Sequence, residues 1–350
     1  MADHFARPES GPIPALRWEE PPEGPVLVVL DQTRLPQEEV ELVCTDVQAL
    51  VGAIRTLAVR GAPLLGLAGA YGIALAAARG YDVNEAAEAL AHARPTAVNL
   101  EYGVRRAVTA FREAGSGQGV AAALAEARAL HAQDAAASAA MAEQGERLLA
   151  ELVPGGGYRI LTHCNTGALV SGGEGTAFAV VMAAHKAGEL RRLWVDETRP
   201  LLQGARLTTY EAARAGMAYT LLADNAAGSL FTAGEVDAVL VGADRIAADG
   251  STANKVGTYP LAVLAKYHHV PFVVVAPTTT VDLATPDGSA IEIEQRAGSE
   301  VTDLAPSPLG TQAYNPAFDI TPPELITAIV TENGIVSPVT SPSLAAVCPA

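Results

Sequence analysis

Cys164 closes a short apolar run and stands directly before Asn165-Thr166-Gly167, with Gly172-Gly173-Glu174-Gly175 leading into a helix-like segment. A thiol beside a helix N-terminus has its thiolate favoured by backbone N–H groups and the helix dipole, which is the condition for a reactive cysteine. The same position suits a small buried residue that ends a strand, so both readings stand. Asp244 follows Val239-Leu240-Val241-Gly242-Ala243, which delivers a carboxylate to the end of an apolar run. A carboxyl partly desolvated there has a raised pKa and serves as general acid or base near neutral pH; the alternative is an aspartate capping the next turn. His163 invites pairing with Cys164, but successive strand residues point to opposite faces, so a packed or hydrogen-bonding histidine is the favoured reading. A cationic group completes the set: Lys255 within Asp249–Thr258, Arg60 before Gly61-Ala62, and Arg94 before Pro95-Thr96. Cations gathered at helix starts suit an anionic group such as phosphate, against the plainer reading of scattered surface charge. Cys44 and Cys348 lack such surroundings and read as structural.

These residues need elements to place them. Up to about residue 150 the chain reads as strand-poor and helix-rich. One strand is expected over Val26–Leu30 and helices over Asp46–Ala58, Val83–Ala93, Ala97–Ala114 and Val120–Leu149, with breaks at Gly80, Pro95 and Gly115–Gly119. The uncharged run Ala62–Ala78 is long enough to graze the membrane-span limit. Pro63 at its start and Gly66, Gly69 and Gly72 at three-residue spacing instead predict a buried helix with one smooth face for another backbone. At Val153-Pro154-Gly155-Gly156-Gly157 the pattern changes. Apolar runs at Arg159–Cys164, Arg192–Asp196, Ala218–Ala223, Ala238–Val241 and Pro271–Ala276 then alternate with helix candidates at Thr176–Ala187, Thr208–Ala215, Ala226–Thr232 and Pro260–Tyr267. Such alternation predicts a parallel sheet covered on both faces, whose ligands bind outside the carboxyl ends of the strands. The expected fold class is therefore α/β: a Rossmann-like parallel sheet in a C-terminal domain over 154–336, behind a smaller, mainly helical N-terminal domain over 1–153. The segment 337–350 reads as a flexible tail.

Composition narrows the partners. Twenty-three Lys and Arg against 39 Asp and Glu leave a net charge of −16, which argues against nucleic acid and anionic membrane surfaces as partners. A hydrophobic share of 49 % with 18 % charged residues fits a compact globular chain of about two domains. Three scattered cysteines exclude a disulfide framework and a zinc site, and fit a reducing cytoplasm. Met1–Gly24 carries no basic segment followed by an apolar core, so no secretory leader is expected. No G-x-G-x-x-G follows a strand and no Walker A loop is present, which disfavours dinucleotides and ATP.

The motifs Arg60-Gly61-Ala62-Pro63, Arg94–Leu100, His163–Leu169, Glu197-Thr198-Arg199-Pro200, Gln203–Thr208, Gly242–Ile246, Asn254–Tyr259 and Tyr314–Asp319 occur in that order over most of the chain. Together they resemble the methylthioribose-1-phosphate isomerase family, which shares its fold with ribose-1,5-bisphosphate isomerases and with regulatory subunits of a translation-initiation exchange factor. The resemblance implies an aldose–ketose isomerase of methionine salvage, a homodimer, and no metal or organic cofactor. It implies Asp244 as the proton donor and Cys164 as the residue supporting the transition state. Arg60, Gly61, Ala62, Arg94, Gln203, Asn254 and Lys255 would hold a phosphorylated sugar. A sugar phosphorylated at its anomeric oxygen cannot open to a free aldehyde, so the ring C–O bond must break with acid help while hydrogen moves from C2 to C1. Alternatives are another 5-substituted ribose 1-phosphate, including the 5-deoxy sugar or the 1,5-bisphosphate, and a non-catalytic sugar-phosphate or nucleotide-binding subunit. Both Cys164 and Asp244 are present, which favours an enzyme.

Overall fold

The computed structural model describes residues 14–348 apart from 95–96, 116 and 305–306. The chain divides into two compact units, one of Pro12–Ala139 with Gly167–Gly175, the other of Ala140–Thr166 with Thr176–Ala350.

In the first unit, β1 (Leu16–Glu19), β2 (Val26–Leu30) and β3 (Glu41–Cys44) form an antiparallel sheet with β2 in the middle. All five residues of β2 are buried, and its uninterrupted apolar run is what made it legible. Helices α1 (Val47–Arg55), α2 (Ala62–Arg79), α3 (Val83–Ala91), α4 (Val98–Glu113) and α5 (Gly119–Leu152) follow. Asp46 starts α1 by accepting the Ala49 N–H at 2.8 Å, and Asp82 starts α3 through Asn84 and Glu85. By length and composition α2 could cross a membrane, yet 78 % of it is buried inside the protein. Its glycines explain how. A Cβ on Gly103 of α4 would lie 1.9 Å from the Gly66 carbonyl oxygen, and one on Gly66 would lie 2.9 Å from that of Asn99. Gly69 likewise meets Leu100 and Val104, whereas Gly72 faces the side chains of Leu50 and Leu90. The two helices thus meet backbone to backbone around Gly66 and Gly103, in the N-terminal half of each.

In the second unit, β4 (Tyr158–Thr162), α6 (Ala177–Lys186), β5 (Leu190–Asp196), α7 (Thr209–Arg214), β6 (Tyr219–Leu222), α8 (Ala227–Thr232) and β7 (Ala238–Val241) alternate as expected. Then come β8 (Arg245–Ala247), β9 (Thr252–Lys255), α9 (Thr258–Tyr267), β10 (Phe272–Val275), β11 (Val281–Asp282), α10 (Ser299–Thr302), β12 (Phe318–Thr321), β13 (Ala328–Thr331), β14 (Gly334–Val336) and α11 (Ser341–Val347). The main sheet has the order β14-β13-β10-β7-β4-β5-β6, parallel throughout except for the β13–β14 pair. Strand order reverses between β4 and β7, and this is the switch point at which doubly wound sheets open a crevice for ligands. A second, four-stranded sheet, β11-β8-β9-β12, is mostly antiparallel and grows out of the turn after β7. Periodicity gave no sign of it, because its strands carry polar residues such as Asn254, Lys255 and Asp319 rather than apolar runs.

Two expectations need correction. The boundary does not fall at Pro154, at the end of α5: the compact units change over within that helix, and Gly167–Gly175 belongs with the helical unit. Nor is the segment after residue 336 a flexible tail, because Ser341–Val347 is helical and Leu344 and Cys348 join the core with Val336. Terminal position suggested a loose segment, but Thr340 caps the helix and Pro342 lies in its first turn.

Candidate active site

Three chain segments converge at the switch point. β4 ends at Thr162, paired in register with Leu240 of β7, so Cys164 and Asp244 emerge from neighbouring strands at the same edge. The two turns pack on each other, since a Cβ on Gly242 would stand 2.8 Å from the methyl of Thr166. The Asp244 N–H donates to the Ala253 carbonyl at 2.9 Å, which seats the aspartate beside Asn254 and Lys255.

Cys164 is 6 % exposed, and its backbone is left-handed at φ 66°. Thr198, at φ 66°, and Leu202, at φ 57°, share that conformation, so three of the five non-glycine residues with positive φ among the described residues gather at the ends of β4 and β5. Such backbone costs energy and persists only where its surroundings over-determine it. Here the surroundings are hydroxyl groups. The Cys164 N–H donates to Thr198 Oγ1 at 2.9 Å, while Thr208 Oγ1 donates to the Cys164 carbonyl. Asn165 Nδ2 reaches Thr208 and Glu211. Asp224 accepts the N–H groups of Thr198 and Arg199 at 2.7 and 2.8 Å, which fixes the loop that continues through a cis Arg199–Pro200 bond. The expected helix N-terminus beside Cys164 is displaced by two residues. It is Thr166 whose hydroxyl accepts the Phe178 N–H of α6, at 3.1 Å.

Gln203 is 3 % exposed, opens a π-helical turn over Gly204–Thr208, and its Oε1 has no hydrogen-bond partner among the described residues. A buried unpaired acceptor is costly, and π-turns concentrate at functional sites. Asn254 Nδ2 donates to Thr258 Oγ1 at 2.9 Å. The buried Lys255 ammonium donates to the Ala317 carbonyl at 2.8 Å and lies 4.8 Å from the Phe318 ring centroid. Asp319 accepts the N–H groups of Gly257 and Tyr259 at the start of α9; burial nonetheless pushes its carboxyl up. The Tyr314–Asp319 motif thus supplies the seat of Lys255, a role that spacing did not reveal.

His163 lies at the root of this arrangement. Its ring is 1 % exposed, with Nδ1 3.0 Å from Asp196 Oδ2 and Nε2 2.9 Å from the Val256 carbonyl. Burial pushes the imidazole down, but the hydrogen bond and charge of Asp196, joined by Asp224, outweigh it and hold the ring above the usual histidine value. Burial likewise pushes Asp196 up, with His163 only partly countering it, so the pair keeps a proton between its two members. His163, Asp196 and Asp224 offer ligand atoms within 4.8 Å of one another. His163 Nδ1, Asp196 Oδ2 and both Asp224 oxygens are engaged in hydrogen bonds, whereas the buried Asp196 Oδ1 has no partner among the described residues.

The remaining expected residues belong to the helical unit. Arg60 is 9 % exposed and precedes Gly61, whose φ of 90° and contact with Val170 leave no room for a side chain; Ala62 then begins α2. Arg94, partly buried, precedes α4. Arg60 and Arg94 thus each precede one of the two helices that meet at Gly66 and Gly103.

The switch point of a doubly wound sheet thus carries a cysteine and an aspartate, with a buried lysine on the adjoining strand. A model of the Initiation factor 2 subunit family matches residues 58–338, and the chain belongs to that family. It is 52 % identical over 327 residues, 92 % of this chain and 94 % of the other, to a methylthioribose-1-phosphate isomerase of Anaeromyxobacter sp. (strain Fw109-5). The crystal structure of 5-methylthioribose 1-phosphate isomerase from Pyrococcus horikoshii OT3 matches with a TM-score of 0.87 at 36 % identity, covering 98 % of both chains. A structure described as translation initiation factor eIF-2B, subunit delta, from A. fulgidus matches with a TM-score of 0.80 at 40 % identity, covering 95 % of this chain and 99 % of that one.

Proposed function

We propose that this chain is an aldose–ketose isomerase of methionine salvage, interconverting 5-methylthioribose 1-phosphate and 5-methylthioribulose 1-phosphate. The observation that carries this reading is its identity, over nearly its full length, to a relative named for that reaction. The switch-point chemistry is in accord. Asp244 donates a proton to the ring oxygen as the C1–O bond breaks, hydrogen passes from C2 to C1, and the C2 hydroxyl becomes the ketone by giving up its proton, which restores the Asp244 acid, while the phosphate stays on C1. Cys164, shielded from water, supports that transition state beside C2. Arg60, Gly61, Ala62, Arg94, Gln203, Asn254 and Lys255 bind the phosphorylated sugar. The orphan acceptor of Gln203 suits a sugar hydroxyl, and the buried Lys255 suits the phosphate. A Rossmann-like catalytic domain behind a mainly helical one, a homodimer and a cytoplasmic location belong to the same reading.

Incubating the purified protein with 5-methylthioribose 1-phosphate, 5-deoxyribose 1-phosphate and ribose 1,5-bisphosphate, and following ketose phosphate, tests it. Turnover of the methylthio sugar above the others is expected. No turnover of any overturns the enzyme, and preference for the bisphosphate overturns the salvage role. Asp244→Asn should lower kcat by about 10²–10⁴, the span of general acid–base catalysis, while substrate still binds.

A further inference from the structure

His163 takes no part in the chemistry above, yet three segments of the site meet on its ring. Its own backbone leads into Cys164. Its Nδ1 meets Asp196 at the end of β5, two residues before the Thr198 that holds the Cys164 N–H. Its Nε2 meets the carbonyl of Val256, the residue after Lys255. A carbonyl oxygen can only accept, so Nε2 carries a proton and donates. The next residue, Gly257, lies flush on the ring: at φ 106° a Cβ there would stand 2.7 Å from His163 Cε1 and 2.9 Å from Nε2. No side chain fits between imidazole and loop. The spacing of the Cys164 turn from the Asn254–Lys255 strand is therefore set across a single ring.

We propose that His163 is a positioning residue for the isomerisation. Held by Asp196 at one nitrogen and by Val256 at the other, it fixes the Cys164 turn relative to the strand that presents Asn254 and Lys255. This rests on the reading that Cys164 acts at the reacting carbons. Lys255 keeps its own bonds to Ala317 and to the Phe318 ring, and Asn254 its bond to Thr258, so loosening the bracket displaces Cys164 from a substrate that still binds. The loss therefore falls on kcat rather than on KM.

Two amide substitutions separate the two bonds. In His163→Gln the side-chain nitrogen reaches the position of Nε2 and keeps the Val256 bond; in His163→Asn it takes the position of Nδ1 and keeps only the Asp196 bond. His163→Asn should lower kcat about 100-fold, the cost of roughly 1 Å of misplacement, with KM changed by less than about threefold. His163→Gln should recover kcat to within about tenfold of the parent. Gly257→Ala attacks the same contact from the loop and should lower kcat by about tenfold or more at similar KM. It keeps the test decisive if a histidine variant does not fold. Thermal midpoints are recorded for each variant. A parental kcat in folded His163→Asn or Gly257→Ala, equal losses in the two histidine variants, or a loss confined to KM overturns the proposal. Cys164→Ser is run beside them and should lose activity by orders of magnitude. A parental kcat there overturns the reading of Cys164 and the bracket with it, whereas an inactive Cys164→Ser with an unaffected His163→Asn overturns the bracket alone.

Discussion

The turn that carries Cys164 and the contact between α2 and α4 solve opposite problems. At the turn, an uncommon backbone is held by added polar groups: Thr198, Thr208, Asn165 and the His163–Asp196 pair. At the helix pair, close approach is achieved by leaving side chains out, with Gly66 and Gly103 letting one backbone touch the other. A turn of the first kind can be retuned one hydrogen bond at a time. A contact of the second kind tolerates almost nothing, because backbone cannot move aside as a side-chain tip can.

Gly103→Ala should therefore have the largest effect, about 3 kcal/mol of stability or more, since its Cβ would overlap the Gly66 carbonyl; chemical denaturation measures it. A loss under about 1 kcal/mol would mean that the helices separate easily and that the contrast fails. Thr208→Val comes next. It strips the donor from the Cys164 carbonyl and should cost about 1–3 kcal/mol, with a kcat loss larger than that stability change predicts for a folded enzyme. Unchanged kcat would show that the turn needs no such support. Cys164→Gly should abolish turnover without lowering the thermal midpoint, because releasing a left-handed non-glycine residue returns about 1–2 kcal/mol, offsetting the lost burial. A clear fall in midpoint would mean that the turn is not strained. Gly52→Ala is the smallest. Exposed within α1 with nothing within 4 Å of its Cβ position, it should gain about 0.5–1 kcal/mol, the reverse of Gly103 in the same unit.

The same contrast explains what could be read before the structure. Glycine spacing in α2 is local, so the close helix contact was legible at Gly66 and Gly69, though not the side-chain facing of Gly72. Strands β2 and β7 coincide with the expected Val26–Leu30 and Ala238–Val241, because unbroken apolar runs leave little choice. The second sheet stayed hidden, since Thr252–Lys255 buries all four of its residues without an apolar pattern. In the candidate site, position after a strand was enough to bring Cys164 and Asp244 to one edge, whereas Lys255 stood out only as a cation in a turn-rich segment and Asn254 only through the family resemblance. What holds them was not legible. His163 and Val256 are 93 residues apart and Thr208 and Cys164 are 44 apart, and no periodicity links a hydroxyl or an imidazole to a carbonyl at such separations.

The nine residues Gly167–Gly175 leave the doubly wound unit to join the helical one, and the chain then returns for α6. Neither unit is a continuous stretch of the gene. A fragment cut at Pro154 would strip the helical unit of a piece of itself and leave that piece attached to the other half. A single crossover therefore cannot exchange either unit whole, and the two are expected to be inherited together.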